Sequence, residues 1–290
     1  MFRIAPLRGL KIGPREARRP ERRAGGLTGL LLAVSLAWPM SGSAEDFPLR
    51  DKYAQAGVET IETEALAEAL DDYAVVDARS QYEYETLRVQ GAHSIPLASG
   101  DFSEGVRALA EETDKPLVFY CNGVTCAVSY KAALKAEGAG LTDSLVYDAG
   151  IFAWAQANPD RTELLGETLG DPNKLISDAQ FERHVLAEDP FFSRIERSED
   201  PIIVDIRNRD QRAGISLFQM QDRHIPLTTD NSELDALIRT AKTEGRPMFF
   251  VDATGKQVRW LQYYLEEKGV PEYWFLKDGV SSVYESMGLQ

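Results

Sequence analysis

The chain has 290 residues, 43% of them hydrophobic and 27% charged, a balance that excludes an intrinsically disordered protein and leaves room for two domains of ordinary size. Its net charge of −14 is unevenly spread: residues 1–44 hold an excess of basic residues, so the remainder is more acidic than the total suggests. A body of that sign repels a phosphate backbone, which argues against nucleic-acid binding.

In chain order the first element is a leader. A basic stretch ending at Arg23 precedes the apolar run Leu27–Trp38, then Pro39 and the small residues Ser41, Gly42, Ser43 and Ala44. This pattern predicts a signal peptide over 1–44, cleaved near Ala44, and a periplasmic mature protein. The apolar run is shorter than the ~20 residues a spanning helix needs, so membrane attachment arises only through an uncleaved leader.

Two halves then follow one plan. Thr63 caps a predicted helix over Glu64–Leu70, and Tyr73–Ala78 reads as a buried strand ending in Asp77-Ala78-Arg79. Gly91–Leu97 is a short strand with its turn, and Pro116–Tyr120 is an apolar run suited to a central parallel strand. Cys121–Cys126 leads into a predicted helix over Ala127–Glu137, stopped by Gly138. Ser144–Asp148 is a further strand, followed by Gly150 and a short helix over Ile151–Ala157.

The second half repeats the order: a helix start capped by Ser177, strand Pro201–Ile206, strand Pro247–Val251, a helix from Val258 to Lys268, and strand Glu272–Lys277. Asp77 with Asp205, Ile95 with Ile225, Cys121 with Asp252 and Gly150 with Gly279 are separated by nearly constant offsets. The fold class predicted is α/β, as two tandem domains, each a small parallel sheet flanked by helices. The boundaries are 55–160 for the first domain, 161–173 for a Pro-, Gly- and acid-rich linker, and 174–290 for the second.

The only cysteines, Cys121 and Cys126, flank four residues. A structural disulfide usually closes a longer loop, so the pair points to chemistry rather than stapling. Together with the Asp-x-Arg of Asp77 and Arg79 and the segment Gly91-Ala92-His93-Ser94-Ile95-Pro96, the loop YCNGVTCAVSYKAA resembles the rhodanese family, in its exported form with a Cys-Asn-Gly-x-x-Cys sequence. The resemblance spans nearly all of 55–290 as two modules, the first being the closer match.

The resemblance implies a sulfurtransferase. Cys121 attacks the outer sulfur of a small anionic donor, thiosulfate or a persulfide, and holds a persulfide that a thiol or cyanide removes. Backbone amides of Asn122, Gly123, Val124 and Thr125 would cradle the extra sulfur. Cys121 lies between a strand and a helix, where unpaired N–H groups favour an anion, and Gly123 lets the loop curl. Cys126 departs from the basic residue many rhodaneses carry at that position, and it puts a second thiol beside the first.

Asp77 and Arg79 are expected as polar supports at the base of the loop, and Arg88 as a candidate rim charge for an anionic substrate. His93, Phe152 and Trp154 read as structural. No pair of histidines has metal-ligand spacing, so neither metal nor cofactor is expected. The second domain, with Asp252 at the nucleophile's position, cannot form a persulfide and reads as a structural half. Two other functions stay open: a periplasmic thiol–disulfide oxidoreductase cycling Cys121 and Cys126, with periplasmic redox proteins as partners, and a non-catalytic binding protein.

Overall fold

The computed structural model describes residues 47–212, 217–218, 221–228 and 230–289; the expected leader lies outside them. Among the described residues no helix is long and apolar enough to cross a membrane. The first half runs α1 (Arg50–Ala54), β1 (Glu59–Thr60), α2 (Thr63–Glu68), β2 (Ala74–Asp77), α3 (Gln81–Thr86), β3 (Leu87–Val89), β4 (His93–Ser94), α4 (Phe102–Thr113), β5 (Leu117–Tyr120), α5 (Val128–Gly138), β6 (Leu145–Tyr147) and α6 (Gly150–Ala157). Five strands form a sheet in the order β1-β6-β5-β2-β4, and every pair is parallel.

Both faces of that sheet are covered, which is why its strands are continuous apolar runs. Successive side chains alternate between faces. Val76, Phe119 and Val146 pack with Phe102 and Val106 of α4 and Tyr130 and Ala133 of α5. Val75, Val118 and Tyr120 pack on the opposite face with Leu66 of α2 and Ile151 and Trp154 of α6. Thr63 is the first helical residue of α2 rather than its cap, and its hydroxyl meets the Tyr147 hydroxyl at 2.9 Å.

The segment 161–173, expected as a linker, is folded. It contributes β7 (Thr162–Leu164) and β8 (Glu167–Thr168), which form an antiparallel three-stranded sheet with β3 in the order β3-β7-β8. Leu165 and Gly166, both at positive φ, make the two-residue turn that reverses the chain. The Thr162 hydroxyl bonds the Asn158 carbonyl at 2.8 Å, and Leu169 is fully buried. Composition marks this stretch as a linker; the turn and the edge offered by β3 give it strands of its own.

The second half runs α7 (Asp178–Glu182), β9 (Val185–Leu186), α8 (Glu188–Arg197), β10 (Ile202–Asp205), β11 (Arg223–His224), α9 (Ser232–Glu244), β12 (Met248–Val251), α10 (Gln257–Glu267), β13 (Tyr273–Leu276) and α11 (Gly279–Ser286). Ser177 caps α7 in a reciprocal capping box with Gln180. The sheet order β9-β13-β12-β10-β11 repeats that of the first half position for position, again all parallel.

The halves meet along α10. Trp260 and Tyr263 belong to the core of the first half, with Trp260 stacked on Phe152 at 5.3 Å between ring centroids. The backbone N–H of Ile176 donates to the Tyr263 hydroxyl at 3.1 Å.

Candidate active site

The central strand β5 ends at Tyr120, and Cys121 is the first residue beyond it. The loop 121–126 then turns back, with the Cys126 N–H donating to the Gly123 carbonyl at 2.8 Å, and α5 begins at Val128. Two devices fix its position. From one side the Asp77 carboxylate accepts from Arg79 Nε at 2.8 Å and Nη2 at 2.5 Å, with both side chains buried. Arg79 Nη2 also donates to the Leu87 carbonyl at 2.6 Å, and Nη1 to Asn122 Oδ1 at 3.2 Å. Asn122 Nδ2 in turn donates to Glu83 Oε1 at 3.0 Å, and Glu83 is the capping-box residue of α3. Asn122 thereby ties the loop to β2 and α3. Above Arg79 lies the Trp260 ring of the second half, 5.0 Å from the guanidinium carbon.

From the other side Gly150, at φ +75°, lies directly against the loop backbone. A Cβ there would stand 2.4 Å from Gly123 N and 2.5 Å from Gly123 Cα. The Ile151 N–H donates to the Cys121 carbonyl at 2.9 Å. The N-terminus of α6 and the loop are therefore in backbone contact, which only glycine at 150 permits.

Both cysteines are free thiols; Cys121 is fully buried and Cys126 half-buried. Cys121 Sγ lies 3.2 Å from the Cys126 carbonyl oxygen and 3.3 Å from the Ser129 hydroxyl. The electrostatics divide between the thiols in a way the sequence does not suggest. Burial pushes the Cys121 thiol up, and its hydrogen bond with Cys126 adds to the rise. That same bond pulls Cys126 down to about 6 against the cost of desolvation, helped by the backbone N–H groups of Asn122 and Val128. The anion-stabilising amides serve the Cys126 sulfur, so the first proton to leave the pair leaves Cys126.

Among the other expected site residues, Val124 is half-buried and Thr125 exposed on the outer curve of the loop. Arg88 lies on β3, ion-paired with Glu163 and Glu85 and stacked over Tyr84 at 4.9 Å. Those contacts belong to the small antiparallel sheet and not to the loop. His93 is exposed and Trp154 fully buried. Glu83, Ser129, Gly150 and Trp260 join the site without having been singled out for it. Ser80-x-x-Glu83 is a capping-box signature readable from sequence; the contact of Trp260 with Arg79 is long-range and leaves no local signal.

The second half reproduces the frame with different contents. Arg207 Nε and Nη2 bond the Asp205 carboxylate at 3.0 and 2.8 Å, as Arg79 does with Asp77. Asp252 follows β12, and its carbonyl accepts from the Val280 N–H at 2.8 Å, beyond a Gly279 pressed against Thr254 N. The buried Asp252 carboxylate turns into its own loop and accepts from the N–H groups of Gly255 at 2.6 Å and Gln257 at 2.7 Å. Burial pushes this carboxyl up and the amides hold it back. The amides an external anion would use already carry an internal one.

Asp252→Ala is therefore expected to cost about 2–6 kcal/mol, since it strips partners from two partly buried amides at roughly 1–3 kcal/mol each. Chemical denaturation measures the loss. Chemistry at Cys121 per folded molecule should change less than about twofold, a difference of roughly 0.4 kcal/mol.

Residues 62–157 match the model of the rhodanese-like domain family, a segment that contains β2, β5 and the Cys121 loop. The matched segment is rhodanese-like, and the chain is α/β, with two five-stranded parallel sheets flanked by helices. Two curated relatives, each named a probable adenylyltransferase/sulfurtransferase MoeZ and from two strains of Mycobacterium tuberculosis, are 34% identical over 116 residues, or 38% of this chain. The match spans only 28% of the length of those relatives. Among solved structures, a thiosulfate sulfurtransferase from Pseudomonas aeruginosa aligns over 80% of this chain and 43% of its own, at 19% identity and a TM-score of 0.38. The BH2092 protein from Bacillus halodurans aligns over 42% and 89%, at 23% identity and a TM-score of 0.34.

Proposed function

We propose that this chain is an exported sulfurtransferase in which Cys121 takes sulfane sulfur from thiosulfate or a persulfide and passes it to a thiophilic acceptor, a thiol or cyanide. The observation that carries the reading is the seat of Cys121: it heads a loop at the end of the central strand, pinned by Arg79 and Gly150, with the carbonyl oxygen of a second cysteine, Cys126, 3.2 Å from its sulfur. The match of residues 62–157 to the rhodanese-like family, and the sulfurtransferase in the name of the curated relatives, support it.

The chemistry follows from the pair. A nucleophilic sulfur reacts as the thiolate. Cys121 is the protonated member, and the Cys126 thiolate accepts its proton as attack begins, acting as the general base. Cys121 Sγ bonds to the outer sulfur of the donor, the donor's S–S bond breaks, and sulfite leaves with the electron pair. Attack on the outer sulfur of the resulting persulfide by the acceptor restores Cys121. The Ser129 hydroxyl, 3.3 Å from Cys121 Sγ, is placed to donate to the anionic states of that sulfur. The second half is a module of the same kind whose loop is filled by Asp252; it contributes Trp260 as a wall behind Arg79.

The test is intact mass spectrometry of the fully reduced chain after thiosulfate treatment. An adduct of one sulfur atom on Cys121, absent from Cys121→Ser, is the expected result. A fully reduced chain that never acquires the adduct is not a sulfurtransferase of this type.

A further inference from the structure

Persulfide on Cys121 raises a problem of access. Cys121 is fully buried, and its sulfur faces Ser129 and the far end of its own loop rather than solvent. A thiol carried by a bulky acceptor has no direct line to a sulfur so enclosed. Cys126 is the less buried thiol of the same loop. The Cys126 carbonyl oxygen lies 3.2 Å from Cys121 Sγ, so the second thiol nearest to a Cys121 persulfide belongs to the chain itself.

We propose that Cys126 is a resolving thiol: it attacks the inner sulfur of the Cys121 persulfide, releases hydrosulfide and closes a Cys121–Cys126 disulfide, which an external dithiol then reduces. The proposal rests on the sulfurtransferase reading of Cys121 and names a product and a partner class for it.

The step balances. Cys126 enters as the thiolate and its sulfur bonds to Cys121 Sγ. The bond between Cys121 Sγ and the sulfane sulfur breaks, and that sulfur departs with the electron pair as hydrosulfide. The two cysteine sulfurs are oxidised to a disulfide while the sulfane sulfur is reduced to sulfide. With thiosulfate as donor, one thiosulfate and two thiols give sulfite, hydrogen sulfide and a disulfide. No oxidant beyond the sulfane sulfur is needed, and the dithiol reductant is needed only for the next turnover.

The direction of attack matters. Attack by Cys126 on the outer sulfur would merely move the persulfide by one residue, whereas attack on Cys121 Sγ expels it. The bond from the Cys126 N–H to the Gly123 carbonyl folds the loop back so that Cys126 lies beside Cys121, and the nearby backbone N–H groups of Asn122 and Val128 lower the proton affinity of its thiol, as a resolving nucleophile requires.

The experiment is a single turnover of the whole chain, pre-reduced and then freed of reductant, treated with thiosulfate and followed by intact mass spectrometry, peptide mapping and sulfide assay. The wild-type chain should pass through the one-sulfur adduct to a species lighter by two hydrogens, carrying a Cys121–Cys126 cross-link, with stoichiometric sulfide released. The Cys126→Ser chain, which lacks the base as well as the resolving thiol, should reach the adduct on Cys121 more slowly, stop there and release no sulfide. Cys126→Ala repeats the test without a hydroxyl, and a thermal melt of each variant verifies folding. A wild-type chain that keeps a lasting Cys121 persulfide and releases no sulfide overturns the resolving role and leaves the sulfurtransferase reading standing. Failure of every variant to acquire sulfur overturns both. An adduct mapped to Cys126 in the wild type reverses the assignment and overturns the proposal.

Discussion

An Asp77→Asn chain should lose about 3–5 kcal/mol of stability, because it leaves a buried guanidinium without its counter-ion. Arg79 is buried and carries two bonds from its guanidinium to Asp77, at 2.8 and 2.5 Å, with further bonds to the Leu87 carbonyl and Asn122. Asparagine keeps the shape but removes the charge, and arginine does not escape by deprotonating. Urea denaturation monitored by circular dichroism measures the cost. A loss below about 1 kcal/mol, the range of exposed pairs, would show that the pair does not anchor the loop. The double replacement Asp77→Leu/Arg79→Met separates stability from function. Exchanging both partners for apolar groups should return most of the stability. It should not return sulfur transfer, because Asn122 still lacks the donor that fixes its carbonyl oxygen.

Gly150→Ala should reduce the single-turnover rate of persulfide formation by roughly 10²-fold, the scale of effect for a displacement of about 1 Å at reacting groups. Two costs act at once. The residue sits at φ +75°, where a side chain is strained, and the new methyl would stand 2.4 Å from Gly123 N. What must yield is backbone, namely the loop that carries Cys121. Strain and overpacking together should also cost roughly 2–5 kcal/mol of stability. Gly279→Ala is the internal control, since Gly279, at φ +61°, is pressed just as closely on Thr254 N. It should destabilise the protein comparably while leaving the rate per folded molecule near wild type. Equal rate losses in the two variants would show that the Gly150 effect is general unfolding.

Much of the fold was legible because its signals are local. Apolar runs bounded by proline, such as Pro116–Tyr120 and Pro247–Val251, become the central strands β5 and β12, buried throughout. Matched landmarks also proved equivalent in space: Cys121 and Asp252 each follow the central strand, and the carbonyl of each accepts from the residue after its glycine, Ile151 and Val280. The strands within 161–173 leave no mark in the composition, which reports turn residues but not the edge strand β3 that recruits Thr162–Leu164. In the site, the residue types of the loop were readable, and so was the support from Asp77 and Arg79. The charge distribution was not. Which thiol holds the proton depends on where the amides of Asn122 and Val128 point and on how deeply Cys121 is buried, and both are set by tertiary packing.

The seam along α10 bears on whether the first half can stand alone. Trp260 and Tyr263 complete the core of the first half, and Trp260 closes over the Arg79 guanidinium. Removing the second half would uncover Phe152 and that guanidinium together, so a truncation near residue 170 should yield an aggregation-prone fragment rather than a free-standing domain. The two halves share one set of rings, and the cut that separates them in sequence passes through a core in space.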